Sequence, residues 1–297
     1  MSISQRNIEY RKYNGTGNDF IVVDADEYVP DRFAFATRNC DREDGVAGTD
    51  ETSVQRNDMG TTGADGVLFL HLEAKYRPPR VVMTLVQPDG STAEMCGNGA
   101  RVAAEWAMEQ TGAPEVMIDT QAGTRHARQV GDDIAIEMGE PSFRPEVVPL
   151  AQDEPLVEEQ LAGYEVTGIN TGVPHAVVFV EDVDAIDLDA DAPDIRHHDV
   201  FPEGANVTFA SERADGGYDQ RTFERGVEGE TRSCGTGAVA IAAVGKYLGK
   251  LEAEEVVVSP PGGDLTVEVP DDGPAVLRGP VVHEFDGEAS ITPPSAD

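Results

Sequence analysis

The chain has 297 residues, of which 56 are acidic and 22 basic, for a net charge of −34, and 39% are hydrophobic. This is globular composition with length enough for two ordinary domains, and its negative field excludes nucleic acid and anionic membrane as partners. No stretch approaches the roughly 18 apolar residues of a membrane span, and the polar residues 1–12 do not form a secretory signal.

In chain order, the turn Gly17-Asn18-Asp19-Phe20 leads into an apolar run at 21–23. Residues 38–60 are acidic and turn-rich, which predicts a surface insertion, and Cys40 lies inside it with no role. A strand is predicted at 81–86, followed by the Asp89-Gly90 turn. Cys96-Gly97-Asn98-Gly99-Ala100 then opens a helix over 100–110, with Gly112 as its stop. Val102, Ala103, Trp106 and Ala107 form its apolar face, with Arg101, Glu105 and Glu109 off that face. Strands follow at 116–119 and 134–138.

Pro141, Pro145, Pro149 and Pro155 make 139–155 a poor helix or strand and mark it as a connector. Beyond it, Gly172-Val173-Pro174-His175 precedes another apolar run at 176–178. The Asp-rich stretch 181–194 tempts a calcium-loop reading beginning at Asp187. However, Ala192 stands where the loop needs glycine and His198 where it needs a bidentate glutamate. A solvated acidic loop is predicted there, and no metal site. Strands at 206–210 and 220–224 come before Cys234-Gly235-Thr236-Gly237-Ala238. The helix that follows, 238–244, is apolar on every side and must be buried. Strands at 256–259, 265–269 and 275–278 and a frayed tail from Thr292 complete the chain.

The Cys-Gly-x-Gly-Ala segment thus occurs twice, each time after a strand-like run and a turn and before a helix. A glycine turn with an apolar run precedes each copy, so the chain divides into two related halves. Short strands outnumber helices, which predicts an α+β fold with a buried helix in each half.

Three cysteines at unrelated spacings are no disulfide framework and point to a reducing cytoplasm. A thiol in the first turn of a helix meets unpaired amides and the positive end of the macrodipole, and both favour thiolate. The glycines admit close backbone approach, so the amides of Gly97, Asn98, Gly235 and Thr236 suit a carboxylate. Two such units facing each other supply a base on one face of a carbon and an acid on the other, which is what inverting a stereocentre requires. An amino-acid α-proton is weakly acidic, so a dry, preorganised site must hold the carbanion. No cofactor electron sink is expected; Lys246 lies too far into its helix to serve as a Schiff base.

Other residues keep two readings. His175 is either a hydrogen-bonded core histidine or the neighbour that tunes a thiol. Glu224-Arg225 is either a surface ion pair or a clamp on a zwitterion. Asn18 and Asn206 are either substrate ligands or turn residues. A thiol redox or binding protein with a regulatory disulfide is a third class, one that predicts no proton exchange.

The chain resembles the diaminopimelate epimerase family over roughly residues 10–291. The matching segments are Gly15 to Phe20, Asp89-Gly90-Ser91, Met95 to Arg101, Asn170 through Gly172 to His175, Asn206-Val207, Glu224-Arg225-Gly226, Gly229-Glu230-Thr231 and Cys234 to Ala238. The resemblance implies two pseudosymmetric α+β domains, each a mixed sheet wrapped around a central helix. They would span 1–138, with 283–297 returning to it, and 139–282. It implies cofactor-free interconversion of LL- and meso-2,6-diaminoheptanedioate on the route to lysine, usually by a homodimer.

By motif, Cys96 and Cys234 become the acid/base thiols. Asn18, Gln87, Asn170, Asn206, Glu224 and Arg225 become substrate contacts, with Gln87 standing where the family has asparagine. Gly97, Asn98, Gly235 and Thr236 cradle the reacting carboxylate, and His175 and Glu224 flank the centre. A proline racemase-like enzyme of the same fold is the alternative. Only four basic residues are lysine (Lys12, Lys75, Lys246 and Lys250), and with the net charge this predicts a protein suited to a high-salt cytoplasm.

Overall fold

The computed structural model describes residues 6–47 and 62–291, and the chain forms two compact units. The first comprises Met1–Ile134 with Pro280–Asp297, the second Ala135–Gly279. These divisions fall a few residues before the domain boundaries expected from the sequence. The expected tail from Thr292 lies outside the described residues.

The first unit is built on β1 (Asn7–Gly15), β2 (Asn18–Asp24), β3 (Gly66–Glu73), β4 (Arg80–Val86), β5 (Thr92–Ala93), β6 (Glu115–Thr120) and β7 (Gly123–Val130). Its helices are α1 (Arg32–Asn39) and α2 (Gly97–Thr111). β1 and β2 are antiparallel; β2 and β3 run parallel, β3 and β4 antiparallel, β4 and β6 parallel, and β6 and β7 antiparallel. α2 packs on β1, β2, β3, β4, β6 and β7, so the sheet curls around it. It ends where Gly112 turns left-handed at φ 67 and returns its amide to the Met108 carbonyl, a geometry that glycine adopts without strain. The outer face of the sheet carries a second cluster that includes Ile21, Val23, Val67 and Phe69, with Phe35 and Ala36 of α1 packed against it.

β8 (Asp133–Gly139) carries the chain into the second unit. There follow β9 (Glu159–Leu161), β10 (Tyr164–Asn170), β11 (Pro174–Val180), α3 (Leu188–Arg196), β12 (Asn206–Glu212), β13 (Tyr218–Glu224), β14 (Gly229–Thr231), α4 (Gly235–Tyr247), β15 (Glu255–Ser259), β16 (Leu265–Glu268) and β17 (Ala275–Pro280). The pairings repeat those of the first unit: β10 and β11 antiparallel, β11 and β12 parallel, β12 and β13 antiparallel, β13 and β15 parallel, β15 and β16 antiparallel. α4 is wrapped by β10, β11, β12, β13, β15 and β16. Its interior from Gly237 to Gly245 is buried on every side, which is why it has no polar face. The chain returns to the first unit as β18 (Val282–Ser290), which pairs antiparallel with β1 from Asn7↔Ser290 to Asn14↔Val282. The fold is therefore a two-unit α+β repeat, each unit a mixed sheet around one central helix.

Arg101, set off the apolar face of the helix, is nonetheless fully buried, because the sheet encloses that side of α2 as well. The structure corrects two expectations. The acidic stretch 181–194 is not a loop throughout. Asp182 caps a 3-10 turn (Val183–Ala185), and Asp187 caps α3 by accepting the Ala190 amide at 3.3 Å. The stretch 38–60 is not wholly a surface insertion. Cys40 caps α1 and is buried, Val46 is buried, and Arg42 reaches into the sheet. Residues 48–60 of that stretch lie outside the described residues. The connector 139–155 carries only the isolated bridge Ser142↔Asn170, in keeping with its prolines.

Candidate active site

Each central helix starts on a cysteine. Cys96 is extended at φ −142 and ψ 115, which turns its side chain back over the helix start, where Sγ accepts the Gly99 amide at 3.4 Å. Next to it, the buried Asn98 donates through Nδ2 to Asn18 Oδ1 at 2.6 Å and accepts from Arg101 Nη2 at 2.6 Å. Arg101 also donates to Thr16 Oγ1 at 3.1 Å and to the Pro280 carbonyl at 3.2 Å. Asn18 completes the chain by donating to Asp65 Oδ2 at 3.1 Å.

A buried ionic cluster stands behind Asn18. Lys12 is fully buried and pairs with Asp19, and it donates to the Gly63 carbonyl at 2.8 Å. Arg42 grips Asp19 through both terminal nitrogens at 2.9 and 2.7 Å and also pairs with Asp65. Burial pushes the Asp19 carboxyl up, but Arg42 and Lys12 outweigh it and hold it below the usual range. Asp65 is pushed up by burial and by the charge of Asp19. Cys40, near this cluster, has its thiol pushed up to about 12 by burial and then by Asp19, as befits an inert core cysteine. Gln87 is not joined to this chain of bonds. Its Oε1 accepts from Ser91 Oγ at 3.3 Å, within its own turn.

In the second unit Cys234 occupies the equivalent start of α4, extended at φ −122 and ψ 98, and is buried. The Gly237 amide faces its sulfur without closing a capping hydrogen bond. Thr236 Oγ1 lies 3.4 Å from Sγ and 3.0 Å from His175 Nε2. His175 Nδ1 meets Thr208 Oγ1 at 3.0 Å, and Thr208 meets Thr222 Oγ1 at 3.2 Å. Gln220 donates to Thr222 Oγ1 and to the Cys234 carbonyl, both at 3.0 Å. A Cβ at Gly237 would stand 2.6 Å from Gln220 Nε2 and push that amide out of its two bonds. His175 is wholly buried, and burial, then the Arg225 charge, holds its imidazole down to about 3, so it is neutral. Cys234 is pushed well above the ordinary thiol value by burial and then by the Glu224 carboxylate.

The remaining residues frame this group. Asn206 accepts the Arg225 amide at 2.8 Å and approaches His175 Nε2 at 3.4 Å through Nδ2. Glu224 accepts from Thr231 Oγ1 at 2.6 Å. The Arg225 guanidinium donates to the carbonyls of Glu203 and Gly204, both at 3.3 Å. Asn170 is spent on its turn and on the connector: Oδ1 accepts the Gly172 amide and Nδ2 donates to the Val147 carbonyl, each at 2.8 Å. Thr171 Oγ1 fastens the Thr236 carbonyl at 2.9 Å.

Sequence reasoning missed Thr16, Asp65, Arg101, Thr171, Thr208, Thr222 and Gln220. Arg101 had a signal: three residues after Asn98 on a helix, it shares that residue's face. The strand threonines and Gln220 had none, being brought together only by sheet register.

An enclosed helix starting on a cysteine, repeated once with the same strand order, defines a two-cysteine repeat fold. Solved structures share the repeated architecture of two sheets, each around one helix: a phenazine biosynthesis protein of the PhzF family from Bacillus anthracis aligns with TM-score 0.66 at 17% identity, covering 96% of this chain and 99% of that one. A hydroxyproline epimerase from Agrobacterium vitis, solved with trans-4-hydroxy-L-proline, aligns with TM-score 0.61 at 19% identity, covering 98% and 94%. In sequence, the diaminopimelate epimerase family profile matches residues 10–144 and 167–284, leaving out most of the proline-rich connector. The diaminopimelate epimerase of Methanocella arvoryzae is 40% identical over 96% of this chain and 97% of its own length. That of Methanothrix thermoacetophila is 42% identical over 95% and 96%. The chain belongs to the diaminopimelate epimerase family.

Proposed function

We propose that this enzyme interconverts LL- and meso-2,6-diaminoheptanedioate by two-base proton transfer between Cys96 and Cys234, without a cofactor. One observation carries the reading: within a family of this activity, both helices that open on Cys-Gly-x-Gly-Ala sit at equivalent points of a repeated fold. The chemistry requires the two sulfurs to meet opposite faces of one α-carbon. A thiolate takes the α-proton and becomes a thiol; the C–H electron pair stays on the substrate as an enediolate. The other thiol gives its proton to the opposite face and becomes a thiolate. The amides of Gly97, Asn98, Gly235 and Thr236, at the positive ends of α2 and α4, stabilise the charge that develops on the carboxylate. Asn18, Asn206, Glu224 and Arg225 serve as substrate contacts in this scheme, as do Gln87 and Asn170 once their turn bonds open. His175 stands behind Cys234 through Thr236.

LL-diaminopimelate incubated in D₂O is expected to gain deuterium at one α-carbon, and to gain none with Cys96→Ala or Cys234→Ala. Label entering proline but not diaminopimelate would move the enzyme to the racemase branch of the fold. The same proposal places the enzyme in the cytoplasm, in lysine synthesis, as a homodimer with a surface suited to high salt. The acidic surface predicts a melting temperature that climbs as KCl rises to molar levels; a flat response removes the halophilic part.

A further inference from the structure

Arg225 opens the hairpin turn that follows β13, and the end of α3 holds that turn in place. Glu224 pairs with Gly229 across the hairpin, so residues 225–228 form the turn, and the Glu228 amide closes it by donating to the Glu224 carbonyl at 2.8 Å. Two of the four residues are left-handed, Gly226 at φ 93 and Glu228 at φ 55. Glycine takes that conformation freely, whereas a glutamate is strained there and persists only where its surroundings dictate it. Here they act through the carboxylate. Glu228 Oε1 accepts the Gly226 amide at 2.9 Å and Arg196 Nη2 at 2.8 Å, and Oε2 lies 3.5 Å from His197 Nε2. Arg196 is the last residue of α3 and His197 its C-cap, so the helix end grips the turn that begins with Arg225.

Arg196 is only 8% exposed. Glu228 is its one carboxylate partner among the described residues, and its Nε has no hydrogen-bond partner among them. A buried guanidinium so sparsely matched costs desolvation that an apolar side chain would avoid, so stability alone does not account for it. Its plane lies against the backbone of Gly204, which is left-handed at φ 69 and where a Cβ would overlap Arg196 Nη1. The carbonyls of Glu203 and Gly204 are in turn the acceptors for Arg225 Nη1, each at 3.3 Å. Arg196 therefore supports Arg225 twice, through the turn that carries its backbone and through the peptide that receives its side chain. The Arg225 amide is fixed besides by Asn206 Oδ1 at 2.8 Å. Among the described residues Arg225 Nε and Nη2 make no hydrogen bond and are not sealed from solvent. The guanidinium is thus anchored at one corner with its Nε–Nη2 edge open, the edge that takes a carboxylate through two parallel hydrogen bonds.

We propose that Arg196 is a positioning residue for substrate recognition: with Glu228 and the 203–204 peptide it holds the Arg225 fork in the orientation that meets a substrate carboxylate. The inference deepens the epimerase reading and rests on it for the identity of the ligand, while the hold on Arg225 can be read without substrate. A binding group fixed before the ligand arrives loses little freedom when it binds. Releasing it therefore weakens substrate affinity and leaves the proton transfers at the two thiols largely as they were.

The test has a kinetic arm and a substrate-free arm, both on the full-length enzyme. With LL-diaminopimelate, Arg196→Gln is expected to raise KM about tenfold and keep kcat within about twofold. Glu228→Gln keeps an acceptor for the Gly226 amide but loses the ion pair, and should raise KM about threefold. The double variant should be no worse than Arg196→Gln alone, because the two residues act as one unit. A merely structural role would reduce the folded fraction, lowering kcat and leaving KM alone. Without substrate, ¹⁵N relaxation of the Arg225 Nε–H, assigned by its loss in Arg225→Lys, should give an order parameter of about 0.8 that falls below about 0.6 in Arg196→Gln. If Arg196→Gln does not fold, Glu228→Gln, at an exposed turn, decides both arms. An unchanged KM in the folded variants, a loss confined to kcat, or an Arg225 Nε–H as rigid in the variants as in wild type overturns the proposal. A protein inactive on LL-diaminopimelate whose Arg225 still loosens in Arg196→Gln sinks the proposed activity and leaves the hold on Arg225 standing.

Discussion

The starts of α2 and α4 share a backbone and a five-residue spacing, but the side chains that reach each sulfur differ. Around Cys96 the chain spends charged groups: Arg101 in contact through Asn98, and the Lys12, Asp19, Arg42 and Asp65 cluster behind Asn18. Around Cys234 it spends neutral ones, Thr236, His175, Thr208, Thr222 and Gln220, with one carboxylate, Glu224, on hand. A repeated fold thus preserves the placement of a sulfur at a helix start while divergence of the enclosing strands sets its electrostatics.

The comparison breaks outright if either half is dispensable. Cys96→Ala and Cys234→Ala are each expected to lower kcat/KM by at least about a thousandfold in both directions. A variant that keeps a tenth of the rate by stereospecific NMR assay would end the two-base account.

Next in size is the ionic half. Lys12→Met leaves the buried Asp19 with only Arg42, a cation it shares with the partly exposed Asp65, and should cost about 3–5 kcal/mol in denaturant unfolding. In the second unit Lys246 pairs with Asp271, whose carboxylate stands in solvent, and Lys246→Met should cost clearly less. Equal losses would show that burial of the first cluster carries no special weight.

The neutral half has its own acid signature. The imidazole of His175 lies at about 3 when folded, against 6.5 as a free side chain. A folded value below the unfolded one means the contribution is complete above about pH 6.5 and declines as pH falls toward about 3, because the unfolded chain takes up the proton first. Up to roughly 5 kcal/mol is at stake over that window. His175→Asn should flatten the acid limb of the melting curve, and an unchanged limb would show that other groups govern it. The smallest expected effect is that of Thr236→Val. Loss of the hydroxyl shared by Cys234 and His175 should lower kcat about tenfold with little change in KM or melting temperature. A loss confined to KM would assign Thr236 to substrate binding alone.

Much of the site was legible because its parts are local. A cysteine followed by Gly-x-Gly and an apolar run specifies a thiol at a helix start from neighbouring residues alone, and the duplication made the signal specific. What was not legible depended on partners distant in sequence. The helical pattern of 100–110 sets Arg101 off the apolar face, and nothing nearby reveals that a sheet closes over that side too. The acidic run 181–194 held two capping aspartates, Asp182 and Asp187, but its charge density hid the short helices they start. Arg42 looked like part of a surface insertion until its fork on Asp19 showed it was a structural anchor.

By itself the sequence determined the two repeated cysteines, the helices that begin on them and the pairing of halves, since each follows from spacing within a few residues. Only the tertiary structure decided what surrounds each sulfur. That depends on which strands pair in which register, such as His175↔Asn206 and Phe20↔Gly66, and register brings together side chains far apart along the chain. A buried charge acts on whatever folding places beside it, and so the difference between Cys96 and Cys234 exists only in the folded protein.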